Sequence, residues 1–126
     1  GSRRILVTED NLVNQTVAKR MLTKGGYDVD VAENGEVALK KIQSGAEYDL
    51  IFMDCQMPRM DGYEASRQIR KLEQDRSEGS RIPIIALTAN AMQGDREKCL
   101  SSGMDDYIPK PVKKEALFDM LNRHLG

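Results

Sequence analysis

The chain has 126 residues and a formal net charge of -1 from 19 basic and 20 acidic side chains, with 40% hydrophobic and 31% charged residues. That length suits one domain with a real core and is short for two, and the composition excludes disorder and low complexity. The charge balance excludes holding nucleic acid or an anionic membrane surface by a bulk positive field.

No apolar run approaches a membrane span and no leader pattern is present, so the expected location is the cytoplasm, either free or as the cytoplasmic part of a larger membrane-tethered protein. Gly1 and Ser2 read as a tag remnant before a domain spanning 3–126, because the first strand begins at once with Arg3. Cys55 and Cys99 offer neither a disulfide framework nor zinc spacing and are expected to be reduced thiols.

Ile5 to Val7 predicts the first strand, running into Thr8, Glu9 and Asp10. Val13, Val17 and Met21 follow at helical spacing, and Gly25-Gly26 closes that helix. Val29 to Ala32 predicts a second strand, after which Asn34 is placed to cap a helix carrying Ala38 and Ile42. Leu50 to Met53 predicts a third strand ending at Asp54, followed by a helix marked by Ala65, Ile69 and Leu72. The polar stretch Gln74 to Arg81, with Gly79, is expected to be a flexible loop.

Ile82 to Leu87 predicts a fourth strand that opens on Pro83 and ends at Thr88. A weaker, more polar helix runs from Gln93 to Ser102, with Gly103 just past it. Tyr107-Ile108 is a very short fifth strand before Pro109, Lys110 and Pro111, and Leu117, Leu121 and Leu125 mark the last helix. Strand and helix thus alternate five times, which predicts a parallel sheet with helices on both faces. A closed eightfold barrel needs about 200 residues or more, so an open, doubly wound α/β sheet is the expectation.

Ligands of such sheets bind beyond the carboxyl ends of the strands. Glu9, Asp10, Asp54, Thr88 and Lys110 all fall at those ends. Each alone has an ordinary explanation: Asp10 as a helix cap, Thr88 as a turn cap, Lys110 as a solvated charge. Together, three crowded carboxylates repel one another and call for a cation. Oxygen-only ligands suit Mg2+, usually completed by water and a phosphate oxygen. A carboxylate beside Mg2+ and a lysine is also a credible nucleophile toward phosphorus, with Thr88 able to hydrogen-bond a phosphoryl oxygen.

Four ordered stretches carry a likeness: Ile5 to Asn11, Met53 to Gly62, Leu87 to Ala89, and Asp106 to Pro111. With them the chain resembles the receiver domain of two-component response regulators from Ile5 to Leu125. The resemblance implies a flavodoxin-like (βα)5 fold with strand order 2-1-3-4-5, and Asp54 as phosphoacceptor. It implies that Asp10 and Asp54 hold Mg2+ by side chains, Gln56 by its backbone carbonyl, and Glu9 through water. It further implies that Lys110 pairs with the phosphoryl group, that Lys110-Pro111 is often cis, and that Thr88 and Tyr107 form a switch pair remodelling the face of helix four, strand five and helix five. That face is also a possible homodimer contact. Such a domain is no separate enzyme but catalyses its own phosphoryl transfer and dephosphorylation.

The wording around Asp54 and Thr88 looks most like receivers of hybrid histidine kinases. The implied partners are a kinase core or a histidine phosphotransfer domain docking over helix one, with Asn14, Val17 and Pro111 as contacts. On periodicity alone Val17 reads as core. His124 reads as a surface residue near a helix end, and the acidic surroundings of Cys55 disfavour a reactive thiolate.

Two other classes fit poorly. A flavodoxin-like electron carrier needs a Gly, Ser and Thr-rich phosphate loop, where this chain has Glu9-Asp10-Asn11-Leu12. An Asp-nucleophile phosphatase needs a second carboxylate two residues on, where Gln56 stands. The remaining alternative is a module of the same fold regulated without phosphate.

Overall fold

The computed structural model describes residues 3–57, 59–76, 81–89 and 93–125. The expected tag remnant, Pro58 of the third-strand motif and residues 77–80 of the expected loop lie outside these. The elements are β1 (Arg4–Thr8), α1 (Leu12–Lys24), β2 (Asp28–Ala32), α2 (Gly35–Gln43), β3 (Leu50–Asp54), α3 (Gly62–Arg76), β4 (Ile84–Thr88), α4 (Gln93–Ser101), β5 (Asp106–Pro109) and α5 (Lys114–Leu125). All strand pairs are parallel, in the order β2-β1-β3-β4-β5. This is the expected flavodoxin-like order, and the reversal between β1 and β3 creates the crevice in which ligands of open sheets bind.

The three inner strands read as unbroken apolar runs because both faces of the sheet are covered. Alternation along β3 sends Ile51 and Met53 into one core with α2, α3 and α4, and Leu50 and Phe52 into the other with α1 and α5. Register sets Thr8 beside Met53, Asp54 beside Leu87 and Thr88 beside Pro109. The strand ends therefore finish along one edge.

Helix α1 departs from its expected stripe. Val13 is 69% and Val17 43% exposed, whereas Leu22 is fully buried and Ala18 and Met21 pack on the core. The inward face is 18, 21 and 22, so Val17 is not core. Asn34 caps α2 as expected, its Oδ1 accepting the Val37 N–H at 2.9 Å. Helix α3 continues through Gln74 and Asp75 to Arg76, into the expected loop. An exposed final turn needs no apolar residue, and Gln and Arg are good helix formers.

At the opposite edge of the sheet Arg70 acts as a clamp. Its guanidinium donates to Glu73 and to the Gly103 and Asp105 segment, and also to the Ile82 carbonyl, at 2.7 to 2.8 Å. The end of α3 is thereby tied to the entries of β4 and β5. Helix α4 is held differently: of its side chains from Asp95 to Ser101, Cys99 alone is buried. Among the described residues no helix is long and apolar enough to cross a membrane.

Candidate functional site

Strand β1 delivers Glu9 and Asp10 over the carboxyl edge, and α1 begins directly afterward. Its cap is Asn11, whose Oδ1 accepts the Asn14 N–H at 3.0 Å. The capping role open to Asp10 is thus filled by its neighbour, and the exposed Asp10 carboxylate joins Glu9 and Asp54 instead. One carboxylate oxygen from each of the three lies within 4.8 Å of the others.

Glu9 turns inward and is 3% exposed. Its Oε1 accepts the Asn11 N–H at 3.1 Å and the Asn14 amide at 3.4 Å, while the Gln15 amide donates to its backbone carbonyl at 2.7 Å. These braces from the first turns of α1 hold the acidic loop. Sequence reasoning missed that role for Asn14 and Gln15, since the only signal was two amide side chains soon after a strand end.

Asp54 ends β3 at 2% exposure. Its Oδ1 accepts the Gln56 N–H at 3.1 Å and its Oδ2 accepts from Lys110 Nζ at 2.8 Å. Lys110 Nζ also lies 3.6 Å from Glu9 Oε2. Lys110 is therefore no solvated surface charge. Its backbone is fixed by donation to the Thr88 carbonyl at 2.7 Å, and the Lys110-Pro111 bond is cis.

Burial, and next the neighbouring Asp54 charge, push the Glu9 carboxyl above its ordinary range, with Asn11 and Lys110 offsetting only part. Burial alone would lower Lys110, but hydrogen bonding and attraction from Asp54, then from Glu9, hold it above its usual value. Three carboxylates against one ammonium leave surplus negative charge with oxygen donors only. That donor set fits a hard cation such as Mg2+.

Thr88 is buried at the end of β4, beside Lys110. Tyr107 is half-buried on β5 opposite Ala86, with the Arg96 guanidinium 6.0 Å from its ring centroid. On the α1 side a cavity of about 520 Å3 opens next to Glu9 and Lys110, and Asn14, Val17 and Pro111 all line it. Its walls are otherwise mainly apolar, from α1, α5 and the sheet. His124, expected at the surface, is half-buried with Nε2 3.2 Å from Asp106 Oδ2, because α5 packs its last turn against the start of β5.

Gly62 has no room for a side chain. A Cβ there would overlap the Asp54 carbonyl oxygen, and its N–H donates to the Cys55 carbonyl at 3.1 Å. Gly62→Ala is expected to cost about 1–3 kcal/mol of stability by overpacking. It should also displace Asp54, which Mg2+ titration by NMR of the Asp54 and Gln56 amides would show as weakened binding.

The response regulator receiver domain model matches residues 5–122. Hybrid signal transduction histidine kinase B of Dictyostelium discoideum is 45% identical over 131 residues, covering 98% of this chain and 7% of that protein. Histidine kinase 2 of Arabidopsis thaliana is 37% identical, covering 96% of this chain and 12% of that protein. The chain thus spans a small part of the curated relatives it matches. Among solved structures, the receiver domain of a Pseudomonas aeruginosa sensor histidine kinase, with magnesium coordinated in its active-site cleft, is 48% identical with a TM-score of 0.87, covering 100% of this chain and 99% of that one. A receiver domain of a Saccharomyces cerevisiae response regulator, crystallised with a histidine phosphotransfer protein, is 35% identical with a TM-score of 0.92, covering 98% and 88%. With family, fold and the acidic edge in agreement, the chain belongs to the response regulator receiver domains of two-component signalling.

Proposed function

We propose that Asp54 accepts a phosphoryl group from a phosphohistidine in a phosphorelay, and that this chain supplies the groups for that transfer. The observation that carries the reading is the buried Asp54 carboxylate held between Lys110 and the Gln56 N–H, with Glu9 and Asp10 alongside. In the step an Asp54 carboxylate oxygen bonds to phosphorus as the bond from phosphorus to the donor imidazole nitrogen breaks. Lys110 neutralises charge on the transferring oxygens, and Thr88 donates its hydroxyl to one of them. Glu9, Asp10 and Asp54 would hold Mg2+, with the Gln56 backbone carbonyl, and the ion when bound supplies further neutralisation of that charge.

The donor is a histidine kinase core or a histidine phosphotransfer domain. It docks over α1, where the exposed Val17, with Asn14 and Pro111, lines the apolar cavity beside Lys110. The yeast complex supports this partner class by likeness. Movement of Thr88 toward the phosphoryl group, with Tyr107 following, would alter the α4, β5 and α5 face, which serves the next partner or a second copy. Phosphate must favour one arrangement for that signal to pass.

The test is incubation with Mg2+ and a small phosphodonor, followed by intact mass measurement. Wild type should gain one phosphoryl group and Asp54→Asn none. A wild type that gains none, or equal labelling of Asp54→Asn, favours a module regulated without phosphate and overturns the reading. Mg2+ at about 100 times its dissociation constant should stabilise the fold by about 2.7 kcal/mol. Asp10→Ala should remove most of that gain, as read by thermal melting.

A further inference from the structure

Cys55 directly follows Asp54, and Cys99 is the one buried side chain between Asp95 and Ser101 of α4. Their sulfurs lie 3.9 Å apart although the residues are 44 positions apart in sequence. We propose that this pair is an oxidation site, which a hydroperoxide converts to an intramolecular disulfide stapling α4 to the strand end that carries the phosphoacceptor.

The resting pair is protected. The thiols are 2% and 1% exposed and lie in one buried cluster with Tyr63. At that burial a peroxide reaches neither sulfur while α4 is seated. Oxidation therefore proceeds through openings of α4. With Cys99 the one buried anchor among its described side chains, this helix loses little apolar contact on lifting, which places such openings at the low-energy end of local fluctuations. One opening exposes both sulfurs, because each covers the other.

In the open form one thiol gives up its proton and the thiolate attacks a hydrogen peroxide oxygen. The O–O bond breaks, a sulfenic acid forms, and the departing hydroxide takes that proton as water. On reseating, the second sulfur attacks the sulfenic sulfur. The S–S bond forms, the S–O bond breaks, and hydroxide leaves as water with the remaining thiol proton. Two electrons pass from the two sulfurs to one hydroperoxide. The sulfurs must close from 3.9 Å to about 2.05 Å, a shift within side-chain reach. The closed disulfide holds α4 in its resting seat, so oxidation opposes any displacement of α4 that phosphorylation produces.

The test needs no phosphoryl transfer and stands apart from the reading of Asp54. Native reduced protein is treated with hydrogen peroxide, alkylated and weighed intact. Wild type should lose two hydrogens, take up no alkyl group, yield a joined Cys55 and Cys99 peptide on digestion, and recover both thiols with dithiothreitol. Cys55→Ser and Cys99→Ser should each still melt cooperatively, at a lower temperature because a hydroxyl enters the core, and form no internal link. Amide exchange across α4 should slow by about tenfold or more in the oxidised protein, since its local opening is suppressed. Both thiols still alkylated after peroxide, oxidation of either to sulfinic acid without a link, or a link that forms only in denaturant would overturn the proposal.

Discussion

Lys110→Met should lower phosphoryl incorporation from a small donor by about 100-fold or more, the usual cost of removing one preorganised electrostatic contact to a reacting group. The reason lies in the charges beside it. Lys110 Nζ is 2.8 Å from Asp54 and 3.6 Å from Glu9, and both carboxylates are almost wholly buried. Without the ammonium, the developing negative charge on the transferring oxygens meets three carboxylates and loses its fixed counter-charge. The same substitution should lower stability without Mg2+, because breaking one side of a buried ion pair costs about 3–5 kcal/mol. Proton uptake by Glu9 will return part of that cost. Urea denaturation with and without Mg2+ separates the two effects: the stability deficit should shrink with the cation while the labelling deficit persists. Labelling within threefold of wild type would show that Lys110 does not act on the transferring group.

Arg70→Leu should destabilise the fold by about 3 kcal/mol, the lower end of the range for a broken buried pair, without touching the acidic edge. Arg70 is 12% exposed and joins α3 to the entries of β4 and β5. Its loss leaves the Ile82 carbonyl short of a donor and Glu73 without its cation, while the Gly103 carbonyl keeps its bond from Arg81. The effect stays near the lower end because Arg81 still pairs with Asp105 at 2.9 Å and the Ile82 N–H still donates to Glu73. Arg81→Ala, on a side chain 58% exposed, should cost less than about 1 kcal/mol. The urea midpoint checks both, and an Arg70→Leu loss no larger than that of Arg81→Ala would contradict the clamp.

The architecture was legible because each strand carries its own signal, an apolar run bounded by turn residues, and five such signals alternate with helices. The acidic edge was legible for a topological reason. In a parallel sheet every strand end faces the same way, so Glu9, Asp10, Asp54, Thr88 and Lys110 could be placed together without knowing any distance. Whatever depends on side chains reaching across the fold was not legible. Asp10 and Asn11 are both good caps, and only geometry shows that Asn11 takes the role. Two apolar stripes overlap on α1, and periodicity favoured 13, 17 and 21 over 18, 21 and 22. The contacts of Arg70 with Asp105, Cys55 with Cys99 and His124 with Asp106 join residues 35, 44 and 18 positions apart. No local pattern announces them.

The sheet divides the interior into two unconnected cores, one under α2, α3 and α4 and the other under α1 and α5. Asp54 stands at the rim of the partition, with Phe52 just before it in one core and Met53 and Cys55 in the other. A mutation that reshapes the α1 surface therefore repacks the compartment shared with α5 and leaves the packing beneath α4 as it was. The α1 and α4 surfaces can thus change at separate rates, whereas α5 must change with α1 because the two share a compartment.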